Sequence, residues 1–245
     1  MDSGYYAAMT GLVARTQALD LAATNLANTQ TPGYRAEQEY FRSVLMGPDA
    51  NDSQLGHTVN NYGLIGGDRL NMSQGTLEQT GNPLDLAIEG EGFFQVQTPN
   101  GPRYTRDGGF HRNPQGQMVT ASGDAVHSST GQVIAIPPGE VAIGANGVLS
   151  VDGGVVGTVG VFTFPAGTQL KAEGTNRYLA PDNIPPVISK NAAIHEGAIE
   201  NANQGVIPGT MNLMLVQREA EMMQRALTVF HTEFNKIASE DLPKV

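Results

Sequence analysis

Two carboxylates, Glu89 and Glu91, stand two residues apart in the stretch IEGEGFF, and paired carboxylates can perform acid–base chemistry at a glycosidic bond. Gly90 and Gly92 flank Glu91, and this pattern is typical of a tight turn. We therefore interpret the two acids as turn residues. The alternative is a carbohydrate-active or carbohydrate-binding β protein that uses Glu89, Glu91 and Tyr104. Such a protein is expected to have an aromatic platform, whereas this chain has 6% aromatic residues and no Trp.

The other residue types that could carry chemistry are scattered. The absence of Cys excludes disulfides, thiolate catalysis and Cys-ligated zinc. The histidines are dispersed, and no two of them have metal-ligand spacing with a carboxylate: His57, His111, His127, His195 and His231. We predict a protein that is not an enzyme, with no catalytic residue, no cofactor, no metal and no small-molecule substrate.

The stretch YTRDGGF contains Tyr104, Arg106 and Asp107, and Arg103 immediately precedes it. We interpret it as the solvated end of a hairpin that holds an ion pair. Binding of a partner is the second interpretation. In the first interpretation, we expect the charged side chains to be exposed to water.

Net charge limits the partners. The chain has 24 acidic and 14 basic residues, a formal net charge of -10, which would repel a nucleic-acid backbone and disfavours anionic lipid. It has no apolar run of about 18 residues, so no direct membrane insertion is expected. Its first residues lack the cationic and apolar regions of a cleavable secretory signal, so we expect a cytoplasmic protein or one exported with an uncleaved signal.

Heptad patterns lie at both ends of the chain, with apolar or small residues at alternating spacings of three and four, typical of a helix that packs on another helix. The first is expected from about residue 3 to 28 and contains Tyr5, Met9, Leu12, Thr16, Leu19, Ala23 and Leu26. The last is expected from about residue 210 and contains Leu213, Val216, Ala220, Met223, Leu227, Phe230, Phe234 and Ile237.

Further apolar residues lie off these two heptad lines: Val13, Leu21, Met211, Leu215, Met222 and Val229. A helix that is apolar on two sides requires more than one partner, so we expect copies of this chain or close relatives to cover the second side. The alternative is that these residues cover the underside of the central domain.

The middle of the chain has the period of strands rather than of helices. NPLDLAIEGEGFFQV reads as two short strands around a glycine-flanked turn. Asn-Pro-Gln-Gly stands between Phe110 and Met118, and Asn146-Gly147 and Asp152-Gly153 separate apolar runs, which are strong hairpin signals. An antiparallel, meandering β domain is predicted.

The predicted fold is α+β, with the N- and C-terminal helices paired in a coiled-coil-like helical domain, a central antiparallel β domain and extended connectors. The expected boundaries are 1–28 and 210–245 for the helical domain, 29–75 for the first connector, 76–195 for the β domain and 196–209 for the return connector. Separate packing of each helix on the sheet is the alternative, because periods of 3.5 and 3.6 differ little over three heptads.

Both ends and the middle of the chain resemble bacterial flagellar rod and hook proteins. The N-terminal signature of that family is a helix that ends in Asn-Leu-Ala-Asn and is followed by Thr-x-Gly-Tyr, matched here by Asn25, Leu26, Ala27, Asn28, Thr31, Gly33 and Tyr34. TGNPLDLAIEGEGFFQV and YTRDGGFHRNPQGQMVTASGDAV are similar to segments that open the β domain of these proteins. LVQREAEMMQRAL is similar to their C-terminal helix.

The resemblance implies a structural subunit of the proximal rod of the flagellar basal body, located in the periplasm. Such proteins pass unfolded through the flagellar type III export apparatus with an uncleaved N-terminal signal, and assemble helically with copies of themselves and other rod proteins. The expected assembly interface is Met9, Leu12, Leu19, Leu26, Val216, Met223, Leu227, Phe230 and Phe234. The alternatives are a distal-rod subunit and a periplasmic transport-adaptor protein, although an adaptor normally needs a secretory signal or lipid anchor.

Overall fold

In the computed structural model, which describes residues 2–42, 64–189 and 191–240, a long helix lies at each end of the described chain. The N-terminal helix spans Asp2–Ala27 and the C-terminal helix spans Val206–Glu240. The C-terminal helix begins before the expected residue 210, so Pro208 lies in its first turn, where the missing N–H costs no helical hydrogen bond. Neither helix is long and apolar enough to cross a membrane, as far as the described residues extend.

Short strands fill the described sequence between the helices. In chain order they are β1 (Glu37–Arg42), β2 (Leu64–Leu70), β3 (Leu77–Gln79), β4 (Leu86–Glu89), β5 (Phe93–Thr98), β6 (Gly101–Thr105), β7 (Phe110–Arg112), β8 (Met118–Thr120), β9 (Ala125–Val126), β10 (Val141–Ile143), β11 (Val148–Val151), β12 (Gly154–Thr158), β13 (Val161–Thr163), β14 (Lys171–Glu173), β15 (Arg177–Leu179), β16 (Val187–Ile188), β17 (Ala193–Glu196) and β18 (Ala198–Glu200).

The chain divides into two compact units. The helical unit takes its described residues from 1–27, 37–69 and 206–245, and contains both helices and the two-stranded sheet β1–β2. The β unit takes its described residues from 28–36 and 70–205. Part of the expected first connector, residues 43–63, lies outside the described residues.

The predicted coiled-coil-like pairing of the helices is wrong. A heptad seam would bury Met9, Thr16 and Ala23, but Met9 is 39% exposed and the other two are exposed as well. Among the residues of the N-terminal helix whose burial the structure describes, the buried apolar side chains are instead Ala18 and Ala22, which are not part of the predicted heptad line. The heptad prediction failed for two reasons. It was based mainly on large apolar side chains and gave little weight to alanine, and a period of 3.5 residues cannot be distinguished from 3.6 over this length.

The helices meet along small residues and run antiparallel. A Cβ atom at Gly11 would lie 3.1 Å from Met223 Cε, and Arg15 Nη1 lies 2.8 Å from Glu219 Oε2. The residue nearer the start of one helix therefore meets the residue nearer the end of the other. On the C-terminal helix, Val216 and Ala220 are the buried apolar side chains of the described part.

The predicted central antiparallel β domain is confirmed. β10, β11 and β12 form a three-stranded meander, with Asn146-Gly147 in the first connection and Asp152-Gly153 in the second. Residues 152 and 153 adopt positive φ angles of 50° and 81°, as a tight hairpin turn requires. The predicted hairpin around Asn-Pro-Gln-Gly joins β7 to β8.

A nine-stranded antiparallel sheet forms the larger part of the β unit. Its main path is β14-β15-β6-β5-β9-β8-β7, while β13 joins β5 to β16. The two remaining pairs are β17 with β4 and β18 with β3. β18 thereby carries the end of the β unit back beside the segment that follows residue 76.

Neighbouring residues on β5 serve two apolar clusters because successive strand residues point to opposite faces. Phe94 packs edge-on against Phe110, with ring centroids 5.1 Å apart, in the main cluster. Phe93 packs against Tyr178 at 5.5 Å in a second cluster with Leu70, Tyr104, Phe162 and Leu170. The second cluster is the apolar wall of the polar site described next.

Candidate functional site

The turn that follows the N-terminal helix is formed by the residues of the terminal motif. Thr31 donates its backbone N–H to the Asn28 carbonyl at 3.0 Å and its hydroxyl to Asn28 Oδ1 at 3.2 Å. The backbone N–H of Tyr34 then bonds the Thr31 carbonyl at 3.2 Å. Asn and Thr side chains form such local bonds readily, which explains why the helix stops here.

Gly33 brings this turn close to the rest of the β unit. Its φ of 69° lies in the left-handed region, and an added Cβ would fall 2.1 Å from the backbone nitrogen of Asp107. Its N–H donates to the Glu200 carbonyl at 2.7 Å. Both the conformation and the space therefore require glycine.

Glu200 bridges two buried arginines. Its Oε1 lies 2.8 Å from Arg35 Nη1 and its Oε2 lies 3.0 Å from Arg106 Nη1, and none of the three side chains is more than 4% exposed. Oε1 also accepts the N–H of Gly75 at 2.8 Å. We name Arg35, Arg106, Glu200 and Tyr178 the arginine cluster.

Tyr178 completes the arginine cluster. Its hydroxyl accepts the backbone N–H of Arg35 at 2.9 Å and donates to the Gly33 carbonyl at 3.2 Å. Burial raises the pKa of Tyr178 well above its ordinary value, so the hydroxyl keeps its proton. Tyr178 thus holds the turn formed by the terminal motif residues, which we name the motif turn. It does so with one donated and one accepted hydrogen bond, and it adds no charge.

Arg106 binds backbone as well as Glu200. Its guanidinium donates to the carbonyls of Ile88 and Gly90, at 3.2 and 2.5 Å, and its Cζ lies 5.5 Å from the centre of the Phe93 ring. Burial lowers the pKa of Arg106, Arg35 lowers it further, and Glu200 raises it. The interpretation of YTRDGGF as a solvated hairpin end is therefore wrong for Arg106. It is also wrong for the preceding Arg103, which is buried and pairs with Glu173 at 2.7 Å.

Asn203 holds the other end of the motif turn. Its Oδ1 accepts the N–H of Ala36 at 2.8 Å, and its Nδ2 donates to the carbonyls of Asn71 and Ser73 at 2.7 and 3.0 Å. One amide therefore joins residues from three separate stretches of the β unit. A side chain that makes so many backbone bonds is positioned rather than solvated.

Asn25 performs a similar task in the helical unit. Its Nδ2 donates to the Glu37 carbonyl at 2.8 Å and its Oδ1 accepts the Glu37 N–H at 2.9 Å. The side chain is 4% exposed and thus satisfies the first peptide group of β1 as a neighbouring strand would. Of the other predicted motif residues, Tyr34 is buried, Leu26 and Asn28 are half-buried, and Ala27 is exposed.

The residues predicted as the assembly interface lie in different environments. Met9 is exposed and Val216 is buried. Five others are half-buried: Leu12, Leu19, Leu26, Met223 and Leu227. The side chains of Phe230 and Phe234 lie outside the described part of the structure.

A row of exposed apolar side chains follows one face of the C-terminal helix. Met211, Leu215, Met222 and Val229 are 67, 57, 61 and 61% exposed, and their spacings of four and seven place them on a single face. We name these four residues the outer strip. Val13 of the N-terminal helix is 51% exposed, so five of the six residues noted off the heptad lines are exposed, and Leu21 is half-buried.

The residues first considered for chemistry are turn and surface residues. Gly90 and Gly92 have φ angles of 100° and 138° in the bend between β4 and β5 that contains Glu91. Glu89 points to solvent and its Oε2 lies 2.5 Å from Nε2 of His195 on the facing strand. In the described residues no group of three or more His, Asp and Glu side chains could hold a metal ion.

Comparison with known proteins gives consistent matches along the chain. The family model described as flagellar hook protein FlgE/F/G D1 domain matches residues 87–151, and the model described as flagella basal body rod protein matches residues 6–35. The chain is 32% identical to the flagellar basal-body rod protein FlgF of Caulobacter vibrioides, with 100% of both chains covered. It is 31% identical to FlgF of Mesorhizobium japonicum over 90% of each chain. It is 29% identical to the flagellar basal-body rod protein FlgG of Buchnera aphidicola subsp. Schizaphis graminum, with 94% of this chain and 96% of the relative covered.

Proposed function

We propose, because the chain belongs to the family of flagellar basal-body rod proteins, that it is a subunit of the proximal rod. The family consists of structural proteins, so the chain is a structural rod subunit and not an enzyme, as predicted. The resemblance inferred from the terminal motif is confirmed. A distal-rod position is the second candidate, since relatives named FlgG also match most of the chain.

The observation that carries this proposal is the outer strip. Burying one Leu or Met side chain contributes roughly 1.5–3 kcal/mol, so a partner that covered all four residues would gain several kcal/mol. Apolar side chains that are exposed singly need no explanation, but a continuous row on one face is typical of an interaction surface. In a rod subunit the partner that fits such a row is the helix of a neighbouring subunit.

The proposed assembly surface combines the outer strip with the interface inferred from the sequence. We retain for it Met9, Leu12, Leu19, Leu26, Val216, Met223, Leu227, Phe230 and Phe234. Val216 and Met223 support it from within, because they lie on the side of the C-terminal helix that meets the N-terminal helix. The partners are copies of this chain and other rod proteins, arranged helically.

The route to this position is also part of the proposal. The chain would leave the cytoplasm unfolded through the flagellar type III export apparatus with an uncleaved N-terminal signal, and fold in the periplasmic rod. The absence of Cys supports this, because no disulfide has to form on arrival. The net charge of -10 supports partners other than nucleic acid.

Charge substitutions on the outer strip test the assembly surface. We expect Leu215→Asp and Met222→Asp to abolish swimming and incorporation into isolated basal bodies, because either would bury an unpaired carboxylate in the subunit contact. Stability of the free chain should change by less than about 0.5 kcal/mol, since both residues are exposed. Gln224→Asp, which adds the same charge to an exposed residue of the same helix, is the matched control and should assemble normally. Normal swimming of cells with Leu215→Asp would rule out the outer strip as a contact.

Position along the rod needs a separate experiment. In cells that lack the distal-rod subunit, a proximal subunit should still be present in purified basal bodies. Loss of the chain from those particles would favour the distal position. A secretion assay of the same cells would show whether the chain leaves the cytoplasm with its N-terminus intact.

A further inference from the structure

Two of the four residues of the outer strip are methionines. Met211 and Met222 are 67 and 61% exposed, and their separation of about three helical turns places them on the same face of the C-terminal helix. Met214, which is 52% exposed, lies beside the strip, three residues from Met211. The thioether groups of this face are therefore accessible to small solutes in the free chain.

These thioethers are the groups of the chain that a peroxide attacks most readily. The sequence contains nine Met and no Cys, so no thiol competes for the oxidant. Oxidation of a methionine gives the sulfoxide, which turns a flexible apolar side chain into a polar one. The same property that makes Met useful in an apolar contact surface therefore makes that surface sensitive to oxidation.

Access to the sulfur atom differs among the methionines of the described structure. Met118 is fully buried in the main apolar cluster of the β unit. Met223 is half-buried and lies against the N-terminal helix, where a Cβ atom added at Gly11 would be 3.1 Å from its Cε. Met222 and Met223 are thus neighbours in the sequence, and Met222 is the more accessible of the two.

We propose that Met211 and Met222 are a modification site, at which hydrogen peroxide forms sulfoxides on the free chain and thereby keeps it out of the rod. In this step the lone pair of the sulfur attacks one peroxide oxygen, the O–O bond breaks, and one oxygen atom is transferred to the sulfur. The sulfur loses two electrons, and the rest of the peroxide leaves as water.

The sulfoxide acts on the contact surface and not on the fold. Both methionines are exposed, so a polar oxygen on either of them stays in water while the chain is free. In the rod the same oxygen would be buried in an apolar contact, where a polar group without a hydrogen-bond donor is costly. This loss of assembly rests on the proposed function, whereas the oxidation rests only on the exposure of the sulfur atoms.

The oxidation is measured on the purified chain with hydrogen peroxide, by mass spectrometry of its peptides. Trypsin releases residues 219–225 as one peptide that holds both Met222 and Met223, and its fragment ions separate the two. We expect Met211 and Met222 to gain an oxygen atom at least about tenfold faster than Met118, and Met222 to react faster than Met223. Rates for Met211 and Met222 no higher than that of Met118 would overturn the modification site.

The consequence for assembly is tested with two pairs of substitutions. Gln imitates the polar sulfoxide, Leu stays apolar and cannot be oxidised, and both residues have nearly the helix propensity of Met. We expect the chain with Met211→Gln and Met222→Gln to enter basal bodies at least about tenfold less than the chain with Met211→Leu and Met222→Leu. Met72→Gln changes a methionine of the β unit that is 52% exposed, and should enter normally. Normal entry of the Gln pair would contradict the proposal.

The decisive experiment is a competition inside one cell. Cells without methionine sulfoxide reductases, which reverse the oxidation, produce the wild-type chain and the Leu pair together. A brief pulse of hydrogen peroxide is given while new flagella are built, so that general damage affects both chains equally. We expect the ratio of Leu pair to wild type in the new basal bodies to rise at least about threefold. A chain with Met72→Leu should gain no such advantage.

An unchanged ratio of Leu pair to wild type after the pulse would overturn the proposal. The assay with Leu215→Asp separates this result from a failure of the proposed function. If Leu215→Asp still blocked entry into basal bodies, the outer strip would remain a subunit contact, and only its control by oxidation would be excluded.

Discussion

Arg35 and Glu200 form an ion pair of 2.8 Å in which both side chains are almost completely buried, at 1% and 0% exposure. Arg35 lies just beyond the N-terminal helix, and Glu200 lies on β18, shortly before the C-terminal helix. The pair therefore joins the first and last stretches of the β unit. The sequence motif that identifies the family is anchored by residues near the other end of the chain.

Glu200→Gln tests the importance of this anchor. The change leaves two buried guanidinium groups without a counter-charge, and we expect the free energy of unfolding to fall by about 3–5 kcal/mol in urea titrations. Glu78→Gln on the paired strand β3 is the control, since this exposed acid accepts one hydrogen bond from Asn201 at 2.9 Å. Its loss should cost less than about 1 kcal/mol. Similar losses for both variants would show that the cluster adds no special stability.

Gly33→Ala, compared with Gly81→Ala, separates the cost of a positive φ angle from the cost of a close contact. Gly81 has a similar φ of 76° but no atom within 4 Å of an added Cβ, whereas Gly33 has the Asp107 nitrogen at 2.1 Å. We expect Gly81→Ala to cost about 1–2 kcal/mol through its backbone conformation alone. Gly33→Ala should cost at least about 2 kcal/mol more, because the turn must move away from Asp107. Thermal unfolding of the two variants measures the difference, and equal melting temperatures would contradict the close approach.

Tyr178→Phe removes a hydroxyl that accepts a buried N–H. The backbone nitrogen of Arg35 loses its acceptor, and we expect a loss of about 1–3 kcal/mol in unfolding free energy. Tyr104→Phe is the matched control, because the hydroxyl of Tyr104 bonds only a side chain, that of Gln95, as far as the described contacts show. A smaller effect of Tyr178→Phe than of Tyr104→Phe would contradict the assigned role.

Tyr178 also makes the stability of the β unit depend on pH in the alkaline range. Burial raises the pKa of Tyr178 above the 10.0 of a free tyrosine, so the folded state holds this proton more tightly than the unfolded state. The stabilisation is complete below pH 10.0 and declines as the pH rises toward the folded-state pKa. In urea titrations above pH 10, we expect wild type to lose stability more steeply than Tyr178→Phe. Parallel pH profiles would exclude this contribution.

Asn25 can be tested in the helical unit with two substitutions. Asn25→Ala removes both bonds to the Glu37 peptide group, and we expect a loss of about 1–3 kcal/mol. Asn25→Asp keeps an acceptor for the Glu37 N–H but turns a carboxylate oxygen toward the Glu37 carbonyl, so it should be no better than Asn25→Ala. Hydrogen exchange of the Glu37 amide reports the local effect, and protection equal to wild type in Asn25→Asp would contradict the two-bond geometry.

Local features of the fold could be predicted from the sequence, and long-range ones could not. The turns at Asn146-Gly147 and Asp152-Gly153 were predictable because their residue types determine the backbone conformation within a few residues. The buried face of the N-terminal helix was not, because Ala18 and Ala22 are small and carry little weight in an apolar pattern. Glu200 was missed for another reason. It meets Arg35 and Arg106 only in the folded chain, and an isolated acid on a short strand leaves no periodic signal.

The distance along the chain between Gly33 and Glu200 affects when the β unit can close. A polypeptide emerges from its N-terminal end, both from the ribosome and, on the proposed route, from an export channel. The turn at residues 33–36 therefore appears first, and its long-range bonds must wait for Tyr178, Glu200 and Asn203. Contacts of such long range form slowly, because loop closure has to precede them. The turn can therefore be fixed in place only after nearly all of the β unit has been delivered.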